Sequence, residues 1–321
     1  MKSFTLIIFA SLTILSCVDP PKNTQEAVDS STGISGLWNR VGTIQIVNDI
    51  PVDTIFINDT NEGYRQIKFF NDGHIIWIDN DYDSLRIDKA GKGLYGKYKI
   101  DSDSLTESIS HGTGGSMNWL ESFKDSLNVD KVPFKFGISI NGNMLTQYTN
   151  LDVGAQFEKG ENISYAELWE RMPPATKETK IDGVWKRVYE INYVNNIPID
   201  TIGVPTDGIL DVHFRLNGRF IYQVDRHEMF TPEERDFYGW GGYGQYEFVE
   251  ENKIMEYHEF NSGPGPVKGA AINIPPKTVL NNNGILSGGL IELEFYSDDL
   301  FQQVQVDSMG NKRRGVVYQK I

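Results

Sequence analysis

Trp38 to Val47 places Trp38, Arg40, Gly42, Ile44 and Ile46 on one side of an extended chain and Asn39, Val41, Thr43, Gln45 and Val47 on the other. The period is two, that of a β-strand, although neither side is purely polar. Residues 66–70 and 74–78 flank Asn71-Asp72-Gly73, and residues 212–216 and 219–224 meet at Asn217-Gly218. Asn, Asp and Gly tolerate positive φ, so both points predict tight hairpin turns. Further strands are predicted at 94–100, 105–110, 134–140, 144–149, 243–249, 253–260, 290–296, 301–306 and 315–320. Turns at 140–143 and 308–311 join late hairpins. Two stretches read as helix instead. Ser116 caps 117–127, with Trp119, Leu120, Phe123 and Leu127 on one stripe, and Thr231-Pro232-Glu233-Glu234 forms a capping box. Many short strands joined by Gly and Asn turns predict an all-β antiparallel fold whose closure removes free edges.

The pattern occurs twice. Residues 36–55 (GLWNRVGTIQIVNDIPVDTI) match 183–202 (GVWKRVYEINYVNNIPIDTI) without a gap, with 12 of 20 identical. IKFFNDGHIIW (67–77) then matches VHFRLNGRFIY (212–222), LYGKY (94–98) matches GYGQY (242–246), and Glu107 pairs with Glu256. A period near 147 residues is that of a whole domain rather than a solenoid repeat. The chain therefore divides into 1–16, a leader; 17–33, a polar tether; and two copies, 34–175 and 176–321, meeting in the Pro-rich stretch around Pro173-Pro174. The two predicted helices have no twin in the other copy and read as short insertions.

Residues 1–17 (MKSFTLIIFASLTILSC) carry one lysine, an apolar run too short to span a bilayer comfortably, and a small residue before the chain's single cysteine. Ile14-Leu15-Ser16-Cys17 resembles a bacterial lipoprotein box. That resemblance implies cleavage before Cys17 and acylation of Cys17 (diacylglycerol on its thiol, palmitate-type chains overall). It also implies lipid anchoring in the cell envelope, at the outer membrane, with the body periplasmic or surface-exposed. With one cysteine no intramolecular disulfide forms. The chain holds 30 Lys plus Arg against 44 Asp plus Glu, a formal charge of −14, which repels phosphate backbones and excludes nucleic acid as an expected partner.

A Gly-x-Trp opening an all-β copy, at Gly36-Leu37-Trp38 and Gly183-Val184-Trp185, resembles the lipocalin-like (calycin) group. More closely it resembles the small lipocalin-like domains of uncharacterised Bacteroidota-type lipoproteins. The pairs Phe69–Gly73 and Phe214–Gly218 and the tract 239–246 add to the likeness. It implies two consecutive lipocalin-like antiparallel up-and-down β-barrels with short helical insertions. It further implies that Trp38 and Trp185 close the barrel floors, with Arg171 over Trp38 and Lys320 over Trp185. Asp-Ser/Thr-aliphatic tripeptides, among them Asp53-Thr54-Ile55 and Asp200-Thr201-Ile202, resemble an O-glycosylation site of exported proteins from such bacteria.

No chemistry-bearing motif stands out. The five histidines show no helical metal-ligand spacing, HExxH and GxSxG are absent, and Gly239–Gly244 lacks the trailing Gly-Lys-Ser/Thr of a phosphate loop. No catalytic residue, metal or cofactor is assigned, and the chain is read as a non-enzyme. Arg40 and Arg187 lie two residues beyond the tryptophans, so an internal arginine–carboxylate pair with Glu107 and Glu256 is one reading and solvent-facing residues the other. The second copy carries the richer aromatic set. Its candidate ligand-binding residues are Arg187, Tyr222, Trp240, Tyr243, Glu256 and His258, with 227–240 as a possible lid. The expected function is binding of a small apolar or amphipathic ligand in one or both barrels. The alternative is an envelope-structural or protein-interaction module with solidly packed barrels.

Overall fold

The structure, a computed structural model, describes residues 33–57, 65–80, 92–113, 115–149, 163–204, 209–226, 240–261, 289–307 and 309–321. The leader, Cys17, most of the tether, the 227–239 segment with its expected helix, and the loop after Asn261 lie outside the described residues. Among the described residues no helix is long and apolar enough to cross a membrane.

The first copy forms β1 (Gly36–Val47), β2 (Ile50–Phe56), β3 (Arg65–Asn71), β4 (His74–Asn80), β5 (Lys92–Asp101), β6 (Ser104–Thr113), α1 (Gly115–Leu127), β7 (Val132–Asn141), β8 (Met144–Thr149) and β9 (Ile163–Arg171). β1 gives one edge to β9. It shares the other, pairing Gly36–Asn39 with β3 and Gly42–Val47 with β2. β1 and β3–β9 thus close an eight-stranded antiparallel barrel, and β2 lies outside the ring as an arm. α1 covers one side; Leu120 is fully buried and Phe123 packs on Phe134 with ring centroids 6.5 Å apart, while Leu127 at the end of the predicted stripe is exposed.

The second copy forms β10 (Gly183–Val194), β11 (Ile197–Gly203), β12 (Ile209–Leu216), β13 (Arg219–Arg226), β14 (Trp240–Glu250), β15 (Lys253–Asn261), β16 (Gly289–Ser297), β17 (Leu300–Val306) and β18 (Lys312–Lys320). Its pairings also run in a ring, with β18 returning to β10 and β11 outside. These strands do not stand round one axis, so the second sheet is not a barrel. This corrects the expectation of two consecutive lipocalin-like barrels. Among the described residues one closed barrel is present, that of the first copy, and the lipocalin likeness does not hold. The ladders carry the physical reason. Six register breaks interrupt the second sheet against three in the first. Each bulge bends and overtwists its strand, whereas a barrel needs tilt and stagger to agree all the way round. The β15–β16 join is short, running only from Lys253↔Glu292 to Glu256↔Gly289.

Local chemistry repeats faithfully. The hairpin turns after β1, β3, β10 and β12 place Asn48 and Asp49, Asp72 and Gly73, Asn195 and Asn196, and Asn217 and Gly218 at φ between 48° and 78°. Two successive residues at positive φ make the turn whose twist matches the flanking strands. At Gly96 and Gly244 the backbone of the neighbouring strand comes so close that a Cβ would run into Ser108 O and Tyr257 O. Glycine is required at these bulges by space rather than by a ligand.

The outer faces of the two sheets bury one another. Leu37, Ile67, Phe69, Ile76 and Tyr95 of the first copy pack with Val184, Val212, Phe214, Ile221 and Tyr243 of the second. These are the same positions in each copy, and Phe69 and Phe214 touch with ring centroids 5.6 Å apart. The seam is therefore self-complementary in the manner of a two-fold interface. It explains why the strands alternate without a polar side. Ile34–Ile321 forms one compact unit.

Candidate functional site

Trp38 and Trp185, the tryptophans of the two Gly-x-Trp motifs, are buried in separate core clusters, one in each copy. Trp38 Nε1 donates to Ile34 O at 2.7 Å, and Trp185 Nε1 donates to Ile181 O at 2.8 Å. Arg171 stacks its guanidinium 4.2 Å from the Trp38 ring centre, and Lys320 Nζ stands 5.6 Å from that of Trp185. Gly36 and Gly183 adopt φ of 124° and 138°, where a side chain is strained and would meet Arg171 or Lys320.

In the barrel interior, Lys68 Nζ donates to Glu107 Oε1 at 2.8 Å and to Gln147 Oε1 at 2.9 Å. It lies 4.9 Å from the Trp169 ring centre and 5.4 Å from that of Phe136. Arg40 donates to Gln66 and sits 3.4 Å from Glu167, so it does not pair with Glu107. Side chains from opposite strands meet, and the charges are neutralised among themselves.

The second sheet keeps the positions and changes the residues. Gln66, Lys68, Phe70 and Trp77 correspond to Asp211, His213, Arg215 and Tyr222. Arg187 Nη1 donates to Asp211 Oδ2 at 3.0 Å. His213 Nε2 lies 3.1 Å from Asp211 Oδ1 and 3.2 Å from the Tyr318 hydroxyl, and its ring stacks on Tyr222 at 5.3 Å. Arg215 Nη2 donates to Glu256 Oε1 at 2.6 Å, and Gln303 Nε2 reaches the same oxygen at 3.4 Å. His258 Nε2 is 3.8 Å from Glu256, but burial holds the His258 pKa down, so at neutral pH the imidazole is uncharged and this is no ion pair. Burial alone would raise the Asp211 pKa; His213 and Arg187 outweigh it and hold it below the usual carboxylate range. Tyr222 and Tyr318 are pushed far up by burial and remain neutral phenols.

Of the candidate ligand residues, Arg187, Tyr222, Glu256 and His258 thus converge in this interior, Arg187 bonded to Asp211 rather than to Glu256. Tyr243 lies on the opposite face, in the seam between the sheets, and the side chain of Trp240 is outside the described residues. Asp211, Arg215 and Tyr318 belong to the same network without having been singled out. The signal was present in Asp211, His213 and Arg215, which alternate and so share one strand face. Arg215 Nε and Nη1 and His213 Nδ1 are buried without a partner among the described residues. No group of three or more metal-ligating side chains clusters among the described residues.

A second feature lies outside both rings. Every residue of β2 and of β11 is exposed. Ile50 and Ile197 are 64% and 63% exposed, Phe56 63% and Ile199 62%. β2 and β11 also end their strand orders, so each has an edge that no strand among the described residues pairs with. Asp53-Thr54-Ile55 and Asp200-Thr201-Ile202 both lie on these arms.

No protein-family model matches the chain, and no curated protein matches it significantly. Among solved structures, an uncharacterized protein from Bacteroides eggerthii is similar over 43% of this chain and 99% of its own, at 12% identity and a TM-score of 0.25. A likeness at that score carries no argument about fold or family.

Proposed function

We propose that the chain is a protein-interaction module of a cell envelope, anchored through lipid on Cys17 and engaging its partner with the β2 and β11 arms. It binds without catalysing a reaction. The observation that carries this reading is what the duplication kept. Residues 48–55 and 195–202 share six of eight residues, Asn48/Asn195, Ile50/Ile197, Pro51/Pro198, Asp53/Asp200, Thr54/Thr201 and Ile55/Ile202. Among the interior positions Trp38/Trp185 and Glu107/Glu256 were kept, but others diverged, to Lys68/His213, Phe70/Arg215 and Trp77/Tyr222. Packing constrains buried residues and leaves exposed ones free, so packing selects the opposite pattern. Apolar residues held in water on two matched edge strands are what a contact surface requires. Asp53 and Asp200 beside them favour a partner face that is apolar with a basic rim.

The test places a photo-crosslinking residue at Ile55, at Ile202, or at the exposed Lys99 of the barrel, in cells of the native host. The same partner protein is expected at both arm positions and not at Lys99. Arms that yield nothing beyond the Lys99 background sink the reading. Labelled palmitate is expected to enter the wild type and not Cys17→Ser; equal labelling removes the anchor.

One observation favours a second reading, a small amphipathic ligand inside the second sheet. Arg215 Nε and Nη1 and His213 Nδ1 are buried there without a partner among the described residues, an arrangement a polar head group would satisfy. A recurrent bound mass in native mass spectrometry of the folded wild-type chain would favour it, and its repeated absence would count against it.

A further inference from the structure

We infer that the seam between the two sheets holds a binding site for a small organic phosphate monoester. A cavity of about 360 Å³ opens there, lined from the first copy by Lys97, Ser108, Ser110, His111 and Lys131 and from the second by Lys186, with His74, Tyr95, Val212 and Ile321 completing the wall. Three lysines are among its lining residues in a chain whose formal charge is −14, and among the described residues no Asp or Glu lines it. Among the described residues, Lys97, Lys131 and Lys186 make no ion pair within the protein. Asp72 acts electrostatically on His74 in this wall, and Lys97 opposes it. A concave wall of one sign concentrates counter-ions of the other.

The shape of the charge selects the ligand. Lys97 comes from β5, Lys131 precedes β7 and Lys186 comes from β10 of the other sheet. A carboxylate offers two oxygens in one plane. A phosphate monoester carries nearly two negative charges at neutral pH and three terminal oxygens set tetrahedrally. It can therefore meet lysines arriving from separate directions, each acting as a point charge on a flexible stem. Ser108 adds a neutral hydroxyl, while the Ser110 hydroxyl is bonded to His111 Nδ1 at 2.9 Å. The volume lies within the range of small-molecule pockets and exceeds what one inorganic phosphate fills. Tyr95, Val212 and Ile321 give the remainder an apolar floor, which suits a sugar-sized body. His74 Nδ1 is 2.9 Å from the Tyr95 hydroxyl, so the floor is fixed from behind. The site exists only where both copies meet, and it does not depend on the arms.

The phosphate could be carried by a soluble sugar or by a lipid head group, and the test separates them. Glucose 6-phosphate, glucose, inorganic phosphate and vesicles containing phosphatidic acid are titrated against the folded chain in low salt. Glucose 6-phosphate is expected to bind with a Kd below about 1 mM. Lys97→Gln/Lys186→Gln should weaken it about tenfold with melting unchanged, since both lysines are at least partly exposed and unpaired. Glucose should not bind. Binding of the vesicles alone, equally lost in the double variant, supports the same chemistry with a lipid source. The proposal is overturned if neither phosphate monoester binds, if the double variant binds as well as the wild type, or if inorganic phosphate binds as tightly as glucose 6-phosphate.

Discussion

Arg215→Phe should destabilise the chain by about 3–5 kcal/mol at pH 7, measured by urea unfolding, because it leaves Glu256 buried without its guanidinium. Phenylalanine is the residue the first copy holds at this position, as Phe70, so size and shape are tolerated by the same scaffold. The loss is electrostatic, and a second substitution should show it. The first copy neutralises Glu107 from the neighbouring inward position, Lys68, which corresponds to His213. Adding His213→Lys should therefore recover most of the deficit. The pH dependence follows from Glu256. Burial alone would raise its pKa; Arg215, with the histidines, outweighs burial and holds it below the usual carboxylate value. A folded pKa below the unfolded one of about 4.3 means that the contribution is complete above that value and is lost as the pH falls through the folded pKa. In Arg215→Phe nothing of that strength opposes burial, and Glu256 takes up a proton at higher pH. The gap between variant and wild type should close toward acid. A gap that stays constant from pH 7 to pH 3 would contradict this account.

Trp38→Ala is the second large effect, about 3–5 kcal/mol, set by the cavity a fully buried indole leaves behind. It also strands Ile34 O, which the indole N–H satisfies, and removes the ring on which Arg171 stacks. Trp38→Phe keeps most of the volume and should cost clearly less. Equal losses for alanine and phenylalanine would mean that the hydrogen bond to Ile34, and not the filling of the core, is what matters.

How far the sequence could be read depended on whether a feature is local. The turns at Asp72-Gly73 and Asn217-Gly218 were legible because Asn, Asp and Gly accept positive φ residue by residue, whereas the equivalent turns at Asn48-Asp49 and Asn195-Asn196, which lack a glycine, were not read as turns. β2 and β11 were missed. Pro51, Asp53 and their twins Pro198 and Asp200 argue against a strand, yet an edge strand tolerates them. β9 reads ISYAELWER, with helix-favouring Ala, Glu and Leu, and becomes a strand because β1 and β8 flank it. The form of the second sheet was not legible either. It depends on bulges at places such as Tyr243/Gly244, which follow from close backbone approach rather than from hydropathy. The same bulge accompanies the turn of Tyr243 toward the seam. The seam itself was written in the sequence as the apolar residues on both sides of each strand, a pattern that becomes intelligible only when the two copies are laid face to face.

Hydrogen exchange on residues 50–56 and 197–203 tests the central claim most directly, comparing the purified chain with the chain in its native envelope. Two arms waiting for a partner should exchange rapidly at their free edges when purified, and both should become protected together in the envelope while interior strands such as β8 and β17 stay unchanged. Arms that exchange alike in both settings, or protection confined to the strands that wall the second sheet's interior, would show that this protein does its work somewhere else.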